Sequence, residues 1–125
     1  MDNEDKRTIK RIKGDNGEDA VINMMQNKGF KLLCRNFEVH NVGEIDCVFL
    51  KDNDVYVAEV RARRNLGTYP TSTETVDKRK KRKIMMTTGY LISKYGLYDK
   101  NVIFLVASVT LDSSGMIKNI EVIPF

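Results

Sequence analysis

The chain has 125 residues, of which 42% are hydrophobic and 30% are charged, and its formal net charge is +4. This size suits one compact domain with a core of its own, so we expect residues 1–125 to form a single domain. No apolar run approaches the roughly 18–20 residues that a membrane-spanning helix needs, which argues against a membrane protein. A charged start and two cysteines without a secretion signal are typical of a reducing compartment. The sequence therefore predicts a cytoplasmic protein.

The positive charge is concentrated in one segment of the chain. Residues 61–83 contain 9 Lys or Arg and 2 Asp or Glu, whereas residues 1–60 contain 9 and 12 of the same types. A concentrated cationic segment favours a polyanion such as nucleic acid, because binding to phosphates releases their counterions. For the string KRKKRK alone, a solvated helix face is an equally good explanation, and a nuclear-localisation signal is a third.

The first predicted element is a helix. Apolar residues recur at helical spacing from Ile9 to Met25. Asp15 is a candidate N-cap within this stretch, with Glu18 three residues later, and Gly29 is a natural left-handed C-terminal cap. Glu18 is therefore expected in the first turn of the better-formed part of the helix.

The rest of the chain predicts strands and a second helix. A helix is expected over residues 77–93, because Ile84, Thr88 and Leu91 form an apolar stripe at helical spacing. The resulting order is α-β-β-β-α-β-β, a mixed α/β domain with a sheet flanked by helices. The five predicted strands cover residues 30–37, 44–50, 55–63, 101–111 and 117–125, the fourth being apolar throughout and hence buried on both faces.

The second and third strands contain charges where a sheet normally buries apolar side chains. Strand alternation puts Glu59, Arg61 and Arg63 on one face of the third strand. With a turn centred on residues 52–53, the register places Asp46 directly opposite Glu59, with Cβ atoms about 4.5–5.5 Å apart. Like charges in such a pair are destabilising. Either one carboxyl is protonated, an arginine neutralises the pair, or a divalent cation lies between the two.

Two interpretations of this acidic pair stay open. Hard carboxylate oxygens beside a basic surface suit Mg²⁺ or Mn²⁺, which can bridge a protein carboxylate and a substrate phosphate. The alternative is an Asp46–Arg61–Glu59 salt bridge without a metal, because ion-pair networks are common in proteins. Residue spacing alone does not decide between them.

Four segments of the chain resemble the YraN-like family of bacterial proteins. They are GDNGEDAVINMMQNKGFKLLCRN, GEIDCVF, VYVAEVRARR, and TVDKRKKRKI followed by TGYLI, and they keep the family's order and spacing. That family has the restriction-endonuclease-like PD-(D/E)xK fold and is related to archaeal Holliday-junction resolvases. The resemblance covers nearly the whole chain, so it implies a restriction-endonuclease-like core.

The resemblance also implies roles for individual residues. Asp46 and Glu59 match the family's metal-site carboxylates, so the implied cofactor is Mg²⁺ or Mn²⁺, with the Val60 carbonyl as a further candidate ligand. Glu18 matches the first-helix glutamate that helps to orient metal-bound water. Arg61 stands at the lysine position of E-x-K. Because arginine stays protonated, Arg61 can stabilise charge on a phosphate but cannot act as a general base.

The implied function is phosphodiester hydrolysis in DNA, branched DNA included, by a Mg²⁺- or Mn²⁺-dependent endonuclease. Two alternatives stay open: a nucleic-acid-binding module of the same fold without catalysis, and a protein-interaction subunit whose basic helix binds an acidic partner. Related resolvases act as dimers, so a homodimer is an option by analogy only. The residues expected to bind backbone phosphates, without reading sequence, are Arg63, Arg64, Lys78, Lys80, Lys81 and Lys83.

Overall fold

The structure is a computed structural model that describes residues 17–64 and 76–125. The predicted part of the first helix before Gly17, with its cap at Asp15, lies outside the described residues. Helix α1 is described over residues 17–27. The other elements are β1 (Lys31–Val39), β2 (Gly43–Lys51), β3 (Asp54–Arg64), α2 (Lys78–Tyr95), β4 (Asn101–Leu111) and β5 (Ile117–Pro124).

The five strands form one mixed sheet in the order β1-β2-β3-β4-β5. The first three strands are an antiparallel meander, β3 and β4 pair in parallel, and β5 pairs antiparallel with β4. A parallel pair needs a crossover connection, and α2 lies within the connection between β3 and β4. The predicted element order is therefore confirmed, and the architecture is that of a restriction-endonuclease-like α/β core.

The two helices cover opposite faces of the sheet. Buried residues of α1, among them Val21, pack in one apolar cluster with Ala58 of β3. Buried residues of α2, among them Leu91, pack in a second cluster with Val57 of β3. Since consecutive strand residues point to opposite faces, the two clusters lie on opposite sides. β4 contributes to both clusters, as its continuous apolar run predicted.

Backbone signals in the sequence explain where the helices begin and end. Gly29 has φ 96°, in the left-handed region that ends α1. α2 begins at Lys78, because Asp77 is its N-cap and Asp77 Oδ1 accepts the Lys80 N–H at 2.8 Å. The helix ends at Gly96, whose φ is 64°. Neither described helix is both long enough and apolar enough to span a bilayer.

Candidate functional site

The β2–β3 hairpin has the predicted register, and its pairing stops at the candidate site. The ladder runs from Lys51↔Asp54 at the turn to Cys47↔Ala58. The next step would pair Asp46 with Glu59, but the ladder does not continue there. Instead, the Val60 N–H donates to Asp46 Oδ2 at 2.7 Å. The Asp46 side chain therefore continues the contact between the strands where backbone pairing ends.

A local irregularity in β1 and β2 aims Asp46 at this position. Ile45 packs in the α2-side cluster, whereas Cys47 packs in the α1-side cluster, so strict alternation along β2 is interrupted between them. On β1, Asn36 lies opposite this point and has φ 55°, a left-handed conformation that asparagine tolerates. Irregularities of this kind redirect side chains and are common beside functional sites.

The Asp46 carboxyl lies in an environment that disfavours its charge. Burial is the main cause and the negative charge of Glu59 the second, and together they raise the pKa of Asp46 from 3.8 to about 7. The Val60 N–H opposes this rise, while Glu18 and Glu44 add to it. Burial and the surrounding negative charges therefore both favour the protonated form of Asp46.

Glu59 is neutralised by a lysine from α2. Lys80 Nζ lies 3.3 Å from Glu59 Oε2, and the Glu59 side chain is only 12% exposed. Lys80 lies in the first turn of α2, where its backbone N–H is held by Asp77. β3 pairs in parallel with β4 without a register shift, so Glu59, Arg61 and Arg63 share the face that α2 covers.

The sequence interpretation had no partner for Glu18, and the structure supplies one. Arg35 of β1 donates from NH2 to Glu18 Oε1 at 3.0 Å and from NH1 to Asp19 Oδ1 at 2.8 Å. These two hydrogen bonds fix the first described turn of α1 against β1. Arg35 pairs with Cys47 of β2, which is the neighbour of Asp46. In the sequence, the only sign of this contact is a pair of acidic residues in the predicted helix and a basic residue in the following strand. That signal is weak.

Gly43 allows α2 to lie directly over the start of β2. It is the first residue of the strand, whereas the sequence suggested a loop position. A Cβ at Gly43 would lie 2.6 Å from Thr87 Oγ1 and 3.4 Å from the Lys83 carbonyl oxygen. Thr87 is fully buried, and its hydroxyl donates to that carbonyl at 2.7 Å, so it cannot easily move away. The glycine is thus explained by close approach.

The two carboxylates fit a hard divalent cation. In the part of the chain that the structure describes, no three His, Cys, Asp or Glu side chains form a group that could hold a metal ion by themselves. Mg²⁺, however, is commonly held by one or two carboxylates, with water and substrate phosphate completing its coordination. Asp46 and Glu59 are two such carboxylates on neighbouring strands, and Lys80 lies beside Glu59. Their chemistry therefore suits Mg²⁺ or Mn²⁺.

The predicted phosphate-binding lysines do not share one face of α2. Lys80 points under the helix to Glu59. Lys78 and Lys81 line a groove of about 470 Å³ that also includes Met85, whereas Lys83 lines a different pocket, beside Glu44. The basic residues therefore surround the first two turns of the helix.

This placement of charge opposes the helix dipole. The N-terminus of a helix favours negative side chains, yet the first turn of α2 contains no acidic residue. Six consecutive basic residues, 78–83, lie there instead. Such a conflict between local stability and sequence is expected where function requires the charge.

Together, the fold and this arrangement define an α/β protein with a restriction-endonuclease-like core and an acidic pair where β2 and β3 separate. The family model described as "Uncharacterised protein family UPF0102" matches residues 17–112. The chain therefore belongs to this family, which is compatible with its resemblance to YraN-like proteins. The matched range includes Glu18, Asp46, Glu59 and Lys80.

Relatives from distant bacteria share most of the chain. A UPF0102 protein of Persephonella marina is 33% identical over 108 residues, which cover 86% of this chain and 91% of the relative. One from Moorella thermoacetica is 32% identical over 114 residues, covering 91% and 93%. One from Clostridioides difficile is 34% identical over 100 residues, covering 79% and 85%. These matches cover 79–91% of this chain.

Proposed function

We propose that this protein is a cytoplasmic, Mg²⁺- or Mn²⁺-dependent nuclease that binds DNA, branched DNA included, and hydrolyses phosphodiester bonds. One observation supports this more than any other. Where backbone pairing ends, Asp46 accepts the N–H of Val60, the neighbour of Glu59, and Glu59 forms an ion pair with Lys80 in the basic first turn of α2. A buried carboxyl whose ionisation is disfavoured, with a second carboxylate and a cationic surface nearby, suits a site for a divalent ion and a phosphate.

In this proposal, Asp46 and Glu59 would hold the divalent ion, whose charge would polarise the scissile phosphate and make water easier to deprotonate. The Val60 N–H orients the Asp46 carboxylate, and Arg35 holds Glu18 on the α1 side of the sheet. Arg61 lies on the face that Glu59 shares, and its guanidinium group can donate to phosphate oxygens. Its proposed role is to stabilise negative charge on the reacting phosphate.

The exposed basic residues near the start of α2 have a separate proposed role. Lys78 and Lys83 are exposed, and Arg64 is exposed at the end of β3. Lys81 is half-buried, with its ammonium 5.9 Å from the Phe125 ring centre. Contacts from such groups to the sugar-phosphate backbone position a duplex without reading its sequence. Binding is then expected to weaken steeply as salt concentration rises.

A second candidate is a DNA-binding module of the same fold without catalysis. The observation that favours it is the residue at position 61, where arginine replaces the titratable lysine that the resemblance would imply. The Lys80–Glu59 ion pair also stabilises the acidic residue without a metal. Under this alternative, the DNA-binding predictions hold, whereas metal binding and cleavage are absent.

The experiment combines metal titration with a cleavage assay. Wild type, Asp46→Asn and Glu59→Gln are titrated with Mn²⁺ by calorimetry, and each is incubated with labelled linear and four-way-junction DNA in Mn²⁺ or Mg²⁺. We expect heat and cleavage from wild type only. Asp99→Asn is the control, because it removes one exposed negative charge beside Asn101, at the opposite end of the parallel β3–β4 pair.

The outcomes separate the two candidates. Metal-dependent cleavage by wild type and Asp99→Asn, but not by the two site variants, supports the nuclease. Salt-dependent DNA binding without Mn²⁺ heat or cleavage rejects the nuclease and supports the binding module. A DNA affinity that does not change with salt concentration would contradict both candidates.

A further inference from the structure

The Lys80–Glu59 ion pair is the contact from which a further inference follows. Its lysine is 43% exposed and its glutamate 12% exposed, so the ammonium lies at the opening of the site and the carboxylate beneath it. The backbone of Lys80 is fixed, because its N–H donates to the N-cap Asp77 at 2.8 Å. The side chain, with its four methylene groups, is the flexible part of this contact.

The cations around the acidic residues differ in how firmly they are held. Arg35 binds two carboxylates at once, Glu18 and Asp19, and such a bidentate arrangement restricts it. Lys80 has a single ion pair among the described residues, and an ammonium is a compact point charge on a mobile stem. Of these two, Lys80 is therefore the easier to displace.

A divalent cation and the Lys80 ammonium require the same oxygen atoms. The ammonium lies 3.3 Å from Glu59 Oε2, and Glu59 is one of the two carboxylates in the proposed metal site. Two cations cannot both make full contact with one half-buried carboxylate without repulsion. Binding of one must weaken the binding of the other.

We infer that Lys80 is an exchangeable counter-ion, which neutralises Glu59 in the metal-free protein and is released to contact a nucleic-acid phosphate when a divalent cation binds. The inference rests on the proposed function, because it needs the metal site. Lys80 is then expected to exchange between two anionic partners, the Glu59 carboxylate and a nucleic-acid phosphate. The fixed backbone keeps the released ammonium beside the site, at the start of α2.

Thermodynamic linkage gives this exchange a measurable consequence. If metal binding must break the ion pair, removal of the ammonium raises metal affinity in the absence of DNA. A phosphate that attracts Lys80 away from Glu59 has the same effect, so metal and DNA each promote binding of the other. Without Lys80, the contribution of this exchange to the coupling between metal binding and DNA binding is lost.

The test is a Mn²⁺ titration of metal-free Lys80→Gln, Lys80→Arg and wild type by calorimetry. We expect Lys80→Gln to bind Mn²⁺ about fivefold or more tightly than wild type, and Lys80→Arg to stay close to wild type. Arg79→Gln is the matched control, since it removes an equal charge from the adjacent, exposed position. It should change affinity by less than about twofold. A second titration adds a hydrolysis-resistant duplex, which should tighten Mn²⁺ binding more in wild type than in Lys80→Gln.

The results distinguish failure of the inference from failure of the proposed function. If wild type binds Mn²⁺ and Lys80→Gln binds it equally or more weakly, the inference is wrong while the metal site stands. An equal gain in Arg79→Gln also overturns it, because the effect would then be general charge removal. If neither wild type nor any variant binds Mn²⁺, the proposed metal site fails and the inference fails with it.

Discussion

Asp46→Asn tests the electrostatics of the site without any substrate. The asparagine can still accept the Val60 N–H, but it cannot ionise. The folded protein binds a proton at Asp46 up to about pH 7, whereas in the unfolded chain the carboxyl ionises near its ordinary value of 3.8. Within this window the folded state binds more protons than the unfolded state, so the free energy of unfolding falls as pH rises. Wild type should show this loss, and Asp46→Asn should not.

The rise in pKa sets the size of the effect. A change from 3.8 to about 7 corresponds to about 4 kcal/mol over the whole window. Between about pH 5 and about pH 7, wild type should therefore lose about 2 kcal/mol relative to Asp46→Asn. The measurement is urea unfolding of both proteins in a pH series, with a chelator present because a bound metal would favour the ionised carboxylate.

Asp112→Asn is the control for this series. Hydrogen bonds from Ser114 and the Met116 N–H lower the pKa of Asp112, so its titration lies below the window. Its difference from wild type should therefore stay constant between about pH 5 and about pH 7. The reasoning about Asp46 fails if Asp46→Asn also differs from wild type by a constant amount. It fails equally if wild type gains stability relative to Asp46→Asn as pH rises.

Substitutions at Gly43, Asp77 and Glu59, with Gly89→Ala as a control, test the packing, the helix cap and the charge around the site. Gly43→Ala should destabilise the protein by about 1–3 kcal/mol in urea unfolding, because its Cβ would meet Thr87 Oγ1 at 2.6 Å. Gly89→Ala, on the same helix with nothing within 4 Å, should be neutral or stabilising, and equal losses would contradict the close-approach argument. In thermal unfolding, Asp77→Ala should lower the free energy of unfolding by about 1 kcal/mol and Asp77→Asn by much less. Equal stability of Asp77→Ala and wild type would contradict the capping role. Glu59→Gln should bind DNA as tightly as wild type or more tightly in a salt titration, since it removes a negative charge near phosphate; weaker binding would count against the site.

The fold could be predicted from the sequence because its local signals agree with one another. The β2–β3 turn and the continuous apolar run of β4 predicted strand bounds within one or two residues of those observed. Gly29 marked the end of α1, and Ile84 and Leu91 marked the buried face of α2. Each signal is local in sequence, so the element order and the hairpin register followed without knowledge of tertiary contacts.

The contacts within the site could not be predicted in the same way. Arg35 and Glu18, or Lys80 and Glu59, are separated by 17 or more residues, and no periodicity relates such distant positions. The Asp46–Val60 hydrogen bond was missed for a different reason. Regular pairing predicted a face-to-face carboxylate pair, whereas the irregularity beside Asn36 turns the Asp46 side chain into the gap between strands.

Glu59 and the basic start of α2 are each destabilising alone, and their contact explains both. A half-buried carboxylate in an apolar strand is destabilising unless a cation neutralises it. Basic residues at the positive end of a helix are destabilising unless an anion lies nearby. Lys80 brings the two together at 3.3 Å, so each relieves the other. One glutamate cannot neutralise the remaining five basic residues of 78–83, and this excess charge is what a polyanionic ligand would satisfy.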